Sequence, residues 1–276
     1  MKVSVIIPLY NKEHYIKGTI ESVLSQTFKD LEVIIINDGS TDASEDIAKS
    51  INDPRIKTYT QINHGVSYTR NRGIDLAKGD YIAFLDADDK WKPNYLEKMI
   101  MLAEKYPFYH IFCSAQDGRP ISTLPLGVTI IYDYCKYDYI FWTGCLLIKK
   151  EVFRNVGGFR TGIQLGEDLD MWLRIACKYT TIYLNEELAY HPYVTENNLA
   201  RSIDISSSFP YWEWYDYPYH NKKSLYKYTT NQIVRCAEEL VNQKRYQDSW
   251  CFLMKTKGYT SIRPRIKLVF KILFKL

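Results

Sequence analysis

No two of the six cysteines, at 113, 135, 145, 177, 236 and 251, are spaced as a CxxC pair. That scatter excludes a zinc knuckle or a dithiol redox centre and suits reduced, mostly buried thiols. Long apolar runs are missing too. The first one, residues 3–7, stops at Pro8 and is too short for the hydrophobic part of a leader. No stretch approaches the roughly 18 apolar residues that a membrane span needs. Net charge is only +4, so the chain lacks the basic field that would make nucleic acid a partner. Acidic residues end at Asp248, although Lys255, Lys257, Arg263, Arg265, Lys267, Lys271 and Lys275 follow it. Internal repeats and low-complexity tracts are absent as well.

What is present is an ordinary globular composition over 276 residues, with 24 Tyr and 6 Trp concentrated toward the second half. Their flat faces and polar tips suit packing as well as sugar and base stacking. The first half alternates strand and helix signals. Residues 3–7 read as a buried strand, followed by Ile16, Ile20, Val23 and Leu24 at helical spacing. Residues 31–36 form a second β-branched run, and Asp42 with Glu45 resembles a capping box for the next helix. Residues 55–60 read as a third strand, 66–78 as a helix stopped by Gly79, and 81–85 as a fourth strand. The expected class is therefore α/β: a doubly wound, mostly parallel sheet flanked by helices. The middle, about 108–138, reads as irregular, 139–148 and 179–184 as further strands, and the chain from about 224 as helical. The expected division is a catalytic domain at 1–204 and a helical C-terminal region at 205–276.

In such sheets ligands bind beyond the carboxyl ends of the strands. Leu9-Tyr10-Asn11, Asp38-Gly39-Ser40, Asn63-His64-Gly65 and Asp86-Ala87-Asp88-Asp89 follow the four strands and fall on one rim. Residues two apart in an extended segment point the same way. Asp86 and Asp88 are thus expected to aim at one point, where hard oxygen ligands suit Mg²⁺ or Mn²⁺. Asp38 would accept hydrogen bonds from a base or ribose, and Tyr10 would stack on the base. Arg70, and less so Arg72, would meet a diphosphate. Asp168, in the first turn of a helix, is a candidate general base needing no unusual pKa. His191, Asn198 and Arg201 sit in a loop that could close over the diphosphate, with His191 a possible extra metal ligand.

These residues look like a known pattern. VSVIIPLYN (3–11), NDGSTD (37–42), NHGVSYTRNRGIDLAKGDYIAFLDADD (63–89) and VGGFRTGIQLGEDLDMWLR (156–174) resemble, in order, the signatures of family 2 glycosyltransferases of the GT-A fold, the bacterial type that builds surface polysaccharides. Asn37 stands where that family usually has Asp, and Thr69 where Ala is common. The resemblance implies that Asp38 binds the nucleobase, normally uracil. It implies that Asp86 and Asp88 form the DxD, with Asp88 on the metal, and that Pro8, Tyr10, Arg70 and Ala87 line the nucleotide pocket. It implies that Asp168 is the catalytic base and that transfer from a UDP-sugar to a glycan or lipid-linked acceptor inverts the anomeric centre.

Two other readings compete. A sugar nucleotidyltransferase would want a Gly-rich basic loop after the first strand, and Leu9-Tyr10-Asn11-Lys12 is not one. A binding module with a dead site would not need Asp86, Asp88 and Asp168 together. In the tail, Ile266, Val269, Phe270, Leu273 and Phe274 share one helical face, with Lys267, Lys271 and Lys275 on another. A cationic helix of this kind reads as an interfacial anchor. The expected location is cytoplasmic, peripheral at the inner face of the cell membrane.

Overall fold

The computed structural model describes residues 1–116, 118, 121–137, 140–163, 166–192 and 217–255. The chain forms two compact units. One takes in Met1–Tyr132, Tyr139–Gly162 and Lys178–Glu196, the other Asp133–Asp138, Ile163–Cys177 and Asn197–Leu276.

The first unit is built on a nine-stranded sheet. Its opening strands are β1 (Val3–Leu9), β2 (Leu31–Asp38), β3 (Ile56–Gln61) and β4 (Tyr81–Phe84). They pair in parallel in the order β3-β2-β1-β4. All of β2, and all of β1 except Pro8, is buried, which is why 3–7 and 31–36 read as largely apolar runs broken only by Ser4 and Glu32. Between them run α1 (Ile16–Leu24), which turns Ile16, Thr19, Ile20 and Val23 into the core, then α2 (Ser44–Ser50) and α3 (Val66–Leu76). α3 ends before the expected stop at Gly79, because Ala77 is already extended. Gly79 serves a different purpose: a Cβ there would lie 2.7 Å from Lys2 O and from Ser4 N.

Beyond β4 the sheet is mixed. It continues through β5 (Lys90–Trp91), α4 (Tyr95–Lys105), β6 (Ile111–Gln116), β7 (Gly127–Ile131), β8 (Leu146–Lys149), α5 (Glu151–Val156) and β9 (Thr181–Tyr190). β4 pairs antiparallel with β8, β8 antiparallel with β6, and β6 parallel with β9; β5 and β7 both run antiparallel to β9. The middle read as irregular thus holds two strands, β6 and β7. The strand expected over 139–148 is shortened to β8 because a 3₁₀ turn at Thr143–Cys145 precedes it, with Cys145 N donating to Trp142 O at 2.9 Å.

The second unit contains a 3₁₀ turn (Tyr134–Lys136), α6 (Glu167–Ala176), α7 (Lys222–Asn242) and α8 (Tyr246–Lys255). Two buried carboxylates organise it. Asp133 accepts from Tyr219 Oη at 3.0 Å, Asn221 Nδ2 at 2.8 Å and Ser224 Oγ at 2.8 Å, so the 3₁₀ turn is tied to the start of α7. Asp170 accepts from Arg174 Nε at 2.9 Å and from Tyr217 Oη at 2.5 Å. None of the six cysteines is in a disulfide. Among the described residues no helix is long and apolar enough to cross a membrane. The basic tail beyond 255 lies outside the described residues.

One buried acid locks the start of the sheet. Glu32 on β2 is 3% exposed. It accepts from Ser4 Oγ at 2.7 Å, Lys78 N at 2.6 Å and Lys57 Nζ at 3.0 Å. Burial pushes its carboxyl up, but these bonds outweigh burial and hold it below the ordinary glutamate value. A lowered carboxylate contributes stability that is present above its unfolded pKa, about 4.3, and is lost as pH falls through the folded value. Glu32→Gln is therefore expected to lower unfolding stability by roughly 1–3 kcal/mol at neutral pH. In urea titrations across pH, the gap from wild type should narrow below about pH 4; a gap that stays constant would contradict this role.

Candidate active site

The loops after the four parallel strands are laced to one another. Asn11, at φ 49°, leads out of β1. Its N donates to Ser40 Oγ at 3.1 Å and its Oδ1 accepts from Thr41 N at 2.8 Å. Lys12 N donates to Ser44 Oγ at 2.6 Å and Glu13 N to Asp42 Oδ2 at 3.1 Å. The loop after β1 is thereby fixed to the loop after β2. Asp42 and Glu45 do not form the expected capping box. Asp42 Oδ1 accepts from Ser44 N at 3.0 Å, while Glu45 turns back to accept from Asn37 Nδ2 at 2.8 Å. An aspartate at 37 would set a second carboxylate against Glu45, which gives the Asn there a physical reason.

Asp38, at the end of β2, is 4% exposed. Its Oδ1 accepts from Gln61 Nε2 at 2.7 Å and His64 N at 2.9 Å, and its Oδ2 from Gly65 N at 2.8 Å. It thus joins β2 to the loop that opens α3. Gly65 holds φ 87° at that opening, a left-handed conformation that favours glycine. Pro8 is half-buried within β1, while Tyr10 is exposed beside the same rim.

The segment after β4 is a turn, closed by Asp89 N donating to Asp86 O at 2.9 Å. Ala87 is buried, and its carbonyl accepts from Thr19 Oγ1 of α1 at 2.8 Å. Because the segment turns, the alternation expected of an extended chain does not apply, and its three carboxylates face different partners. Asp86 Oδ1 meets Arg70 NH2 at 2.9 Å. Asp88 Oδ2 meets Lys12 Nζ at 2.6 Å. Asp89 Oδ1 meets His191 Nδ1 at 2.7 Å, and its Oδ2 accepts from Trp142 Nε1 at 3.3 Å. The last contact follows from sheet register. Lys90 pairs with Tyr190 and Trp91 with Ala189, so the next residues out along this antiparallel ladder are Asp89 and His191. Burial first, then the neighbouring Asp86 and Asp88 charges, lifts the Asp89 carboxyl to about 6 against the pull of the His191 bond. The same bond raises the His191 imidazole above its ordinary value.

The structure therefore gathers Asp88 with Asp89 and His191, whose ligand atoms all lie within 4.8 Å of one another, while Asp86 Oδ1 faces Arg70. The sequence places Asp89 on this rim with Asp86 and Asp88, but its pairing with His191 comes through the β5–β9 register. Lys12, beside the cluster, carried no role in the sequence reading and reaches Asp88 through the lacing of the β1 loop. Arg70 is 4% exposed and lies beneath the Phe159 ring, 5.3 Å from its centroid. Arg72 turns away from Asp86 and donates to Gln61 Oε1 at 2.8 Å. Asp168 is the second residue of α6 in the second unit, half-buried, with its Oδ1 accepting from Leu169 N at 2.7 Å. Within that unit its charge reaches the Tyr134 phenol, which burial, Tyr228 and then Asp168 all push up. Asn198 and Arg201 lie outside the described residues.

The model of glycosyl transferase family 2 matches residues 4–157. TuaG of Bacillus subtilis (strain 168), named as a glycosyltransferase of teichuronic acid biosynthesis, is 35% identical over 204 residues, covering 71% of this chain and 80% of that one. Among solved structures, Staphylococcus aureus TarS 1-349 in complex with UDP-GlcNAc is 18% identical with a TM-score of 0.64, covering 94% of this chain and 74% of that one. The mannosyltransferase PcManGT from Pyrobaculum calidifontis, in complex with GDP-Man and Mn²⁺, is 17% identical with a TM-score of 0.63, covering 99% of this chain and 80% of that one.

Phe159, which backs Arg70, is itself clamped by the next residue of α3. Asn71 Nδ2 donates to Phe159 O and Phe159 N donates to Asn71 Oδ1, both at 2.7 Å. Gly158 permits this approach, since a Cβ there would lie 2.4 Å from Asn71 Oδ1. Gly158→Ala is expected to destabilise the protein by roughly 1–3 kcal/mol. Adding Asn71→Ala should recover part of that loss in a double-mutant cycle read by urea unfolding; strict additivity would contradict the clash.

Proposed function

Because the chain belongs to glycosyl transferase family 2 and has the GT-A glycosyltransferase fold, we propose that it moves a sugar from a UDP-sugar to a hydroxyl of a glycan or lipid-linked acceptor in surface-polysaccharide synthesis, inverting the anomeric centre. The observation that carries this reading is the rim itself. Asp38 ends β2 and Asp86, Asp88 and Asp89 follow β4, the two parallel strands that flank β1, and each carboxylate is positioned by bonds from a neighbouring loop, helix or strand. The relative named for teichuronic acid biosynthesis supports the polysaccharide setting. TarS with UDP-GlcNAc supports a UDP-sugar; PcManGT, with GDP-Man, shares the fold with a different nucleotide.

The donor set fits a divalent ion. Two carboxylates and one imidazole, gathered within 4.8 Å, are a mixed oxygen and nitrogen set that suits Mn²⁺ better than Mg²⁺, which favours oxygen alone. Asp88, Asp89 and His191 would hold the ion, and when bound it supplies positive charge for the leaving diphosphate. The chain's own groups do the rest. Tyr10 offers a face to the base. Asp38, with its carboxylate aimed by His64 N and Gly65 N, keeps acceptor capacity for a base N–H. Asp86, held by Arg70, is one-third exposed and offers its other oxygen to a donor hydroxyl.

Asp168 takes the proton of the acceptor hydroxyl as that oxygen bonds to the anomeric carbon and the nucleoside diphosphate leaves with the electrons of the broken bond. One displacement inverts the centre. General-base assistance is worth about 10²–10⁴ in rate. Asp168→Asn is therefore expected to cut transfer by at least about a hundredfold while leaving UDP affinity unchanged. Transfer retained at wild-type rate would remove Asp168 from the reaction.

A further inference from the structure

The three carboxylates of the 86–89 turn are matched one to one with cationic groups: Arg70 on Asp86, Lys12 on Asp88, His191 on Asp89. Arg70 lies outside the metal-ligating set, and His191 belongs to it. Lys12 is the odd member. Its ammonium is 2.6 Å from Asp88 Oδ2, with side-chain exposures of 18% and 13%, and so occupies a carboxylate that the bound ion needs. It is delivered there by backbone geometry: Asn11 at positive φ, Lys12 N on Ser44 Oγ, and Glu13 N on Asp42 together fix the turn that throws the side chain across to Asp88.

Resting on the donor-site reading above, we propose that Lys12 is the resident counter-ion of the metal-free centre and links ion loading to donor arrival. A dication taking Asp88, Asp89 and His191 and an ammonium on Asp88 Oδ2 repel each other at close range in so sheltered a place, because like charges there are poorly screened. Ion binding therefore drives Lys12 off Asp88. Its flexible four-carbon stem and compact charge suit it to a phosphate oxygen, and the donor diphosphate would lie beside the same ion. Without the donor, Lys12 competes with the ion. With the donor, Lys12 has somewhere better to go. The two bindings then help each other, and by linkage the help is equal in both directions.

The test is titration of Mn²⁺ into the full chain, with free Mn²⁺ followed by electron paramagnetic resonance, without and with saturating UDP. Wild type, Lys12→Met (which keeps most of the stem) and Lys12→Arg are compared. Wild type should bind Mn²⁺ weakly alone and about tenfold or more tighter with UDP. Lys12→Met should bind Mn²⁺ alone about tenfold tighter than wild type and gain much less from UDP. Lys12→Arg should behave as wild type. Unchanged or weaker Mn²⁺ binding by Lys12→Met without UDP would overturn the proposal while leaving the donor-site reading intact, and so would an undiminished gain from UDP. Wild type that binds no Mn²⁺ with or without UDP would overturn the donor-site reading, and this proposal with it.

Discussion

Three carboxylates within four residues, turned so that they sit close together and partly out of water, repel one another unless each has a cation. The site depends on how that repulsion is met. Arg70 comes from α3, Lys12 from the loop after β1, and His191 from the far end of β9. Each partner requires its own element to be in place, so the 86–89 turn gathers α3, the β1 loop and β9 within the first unit. The Asp89 carboxyl stays raised because burial, with the Asp86 and Asp88 charges, outweighs the pull of His191.

The support behind the cluster follows the same logic of one group fixing the next. Asp38 holds the β3 loop, Glu13 and Asp42 hold the β1 and β2 loops, and Asn71 holds Phe159 against Arg70. Few of these side chains would touch a substrate. They set the aim of those that do, and loosening a site by an ångström is costly to catalysis. In the second unit Asp133 and Asp170 play the corresponding part for the helices around Asp168.

The parallel half of the fold was plain in the residues. The short, largely apolar and β-branched runs at 3–7, 31–36 and 81–84 read as strands covered on both faces, and the polar clusters after them mark one rim. Asp38 and the 86–89 segment were therefore visible as a site. In the mixed half the strands read at 139–148 and 179–184 overlap β8 and β9, but β5, β6 and β7 were hidden. β6 and β7 are short and lie in a stretch rich in Tyr, Pro and Gly, and β5 is two residues long, so periodicity has too little to work on. The loss carried a functional cost, because the β5–β9 register is what sets His191 beside Asp89. Strand alternation paired Asp86 with Asp88, whereas the turn sends Asp86 Oδ1 to Arg70 and leaves Asp88 with Asp89 and His191. Lys12 escaped notice for a similar reason: its position depends on hydrogen bonds between loops, which no spacing along the chain reveals.

The central claim is that this carboxylate turn, with an ion, makes a nucleotide-sugar donor site. Calorimetric titration of UDP tests it most directly, with and without Mn²⁺, on wild type and on Asp88→Ala, with GDP and CMP as controls. The account predicts UDP binding that is strong only with the ion and is lost in Asp88→Ala, with GDP and CMP weaker. UDP binding that ignores both Mn²⁺ and Asp88, or no binding by any of the three nucleotides, would contradict it.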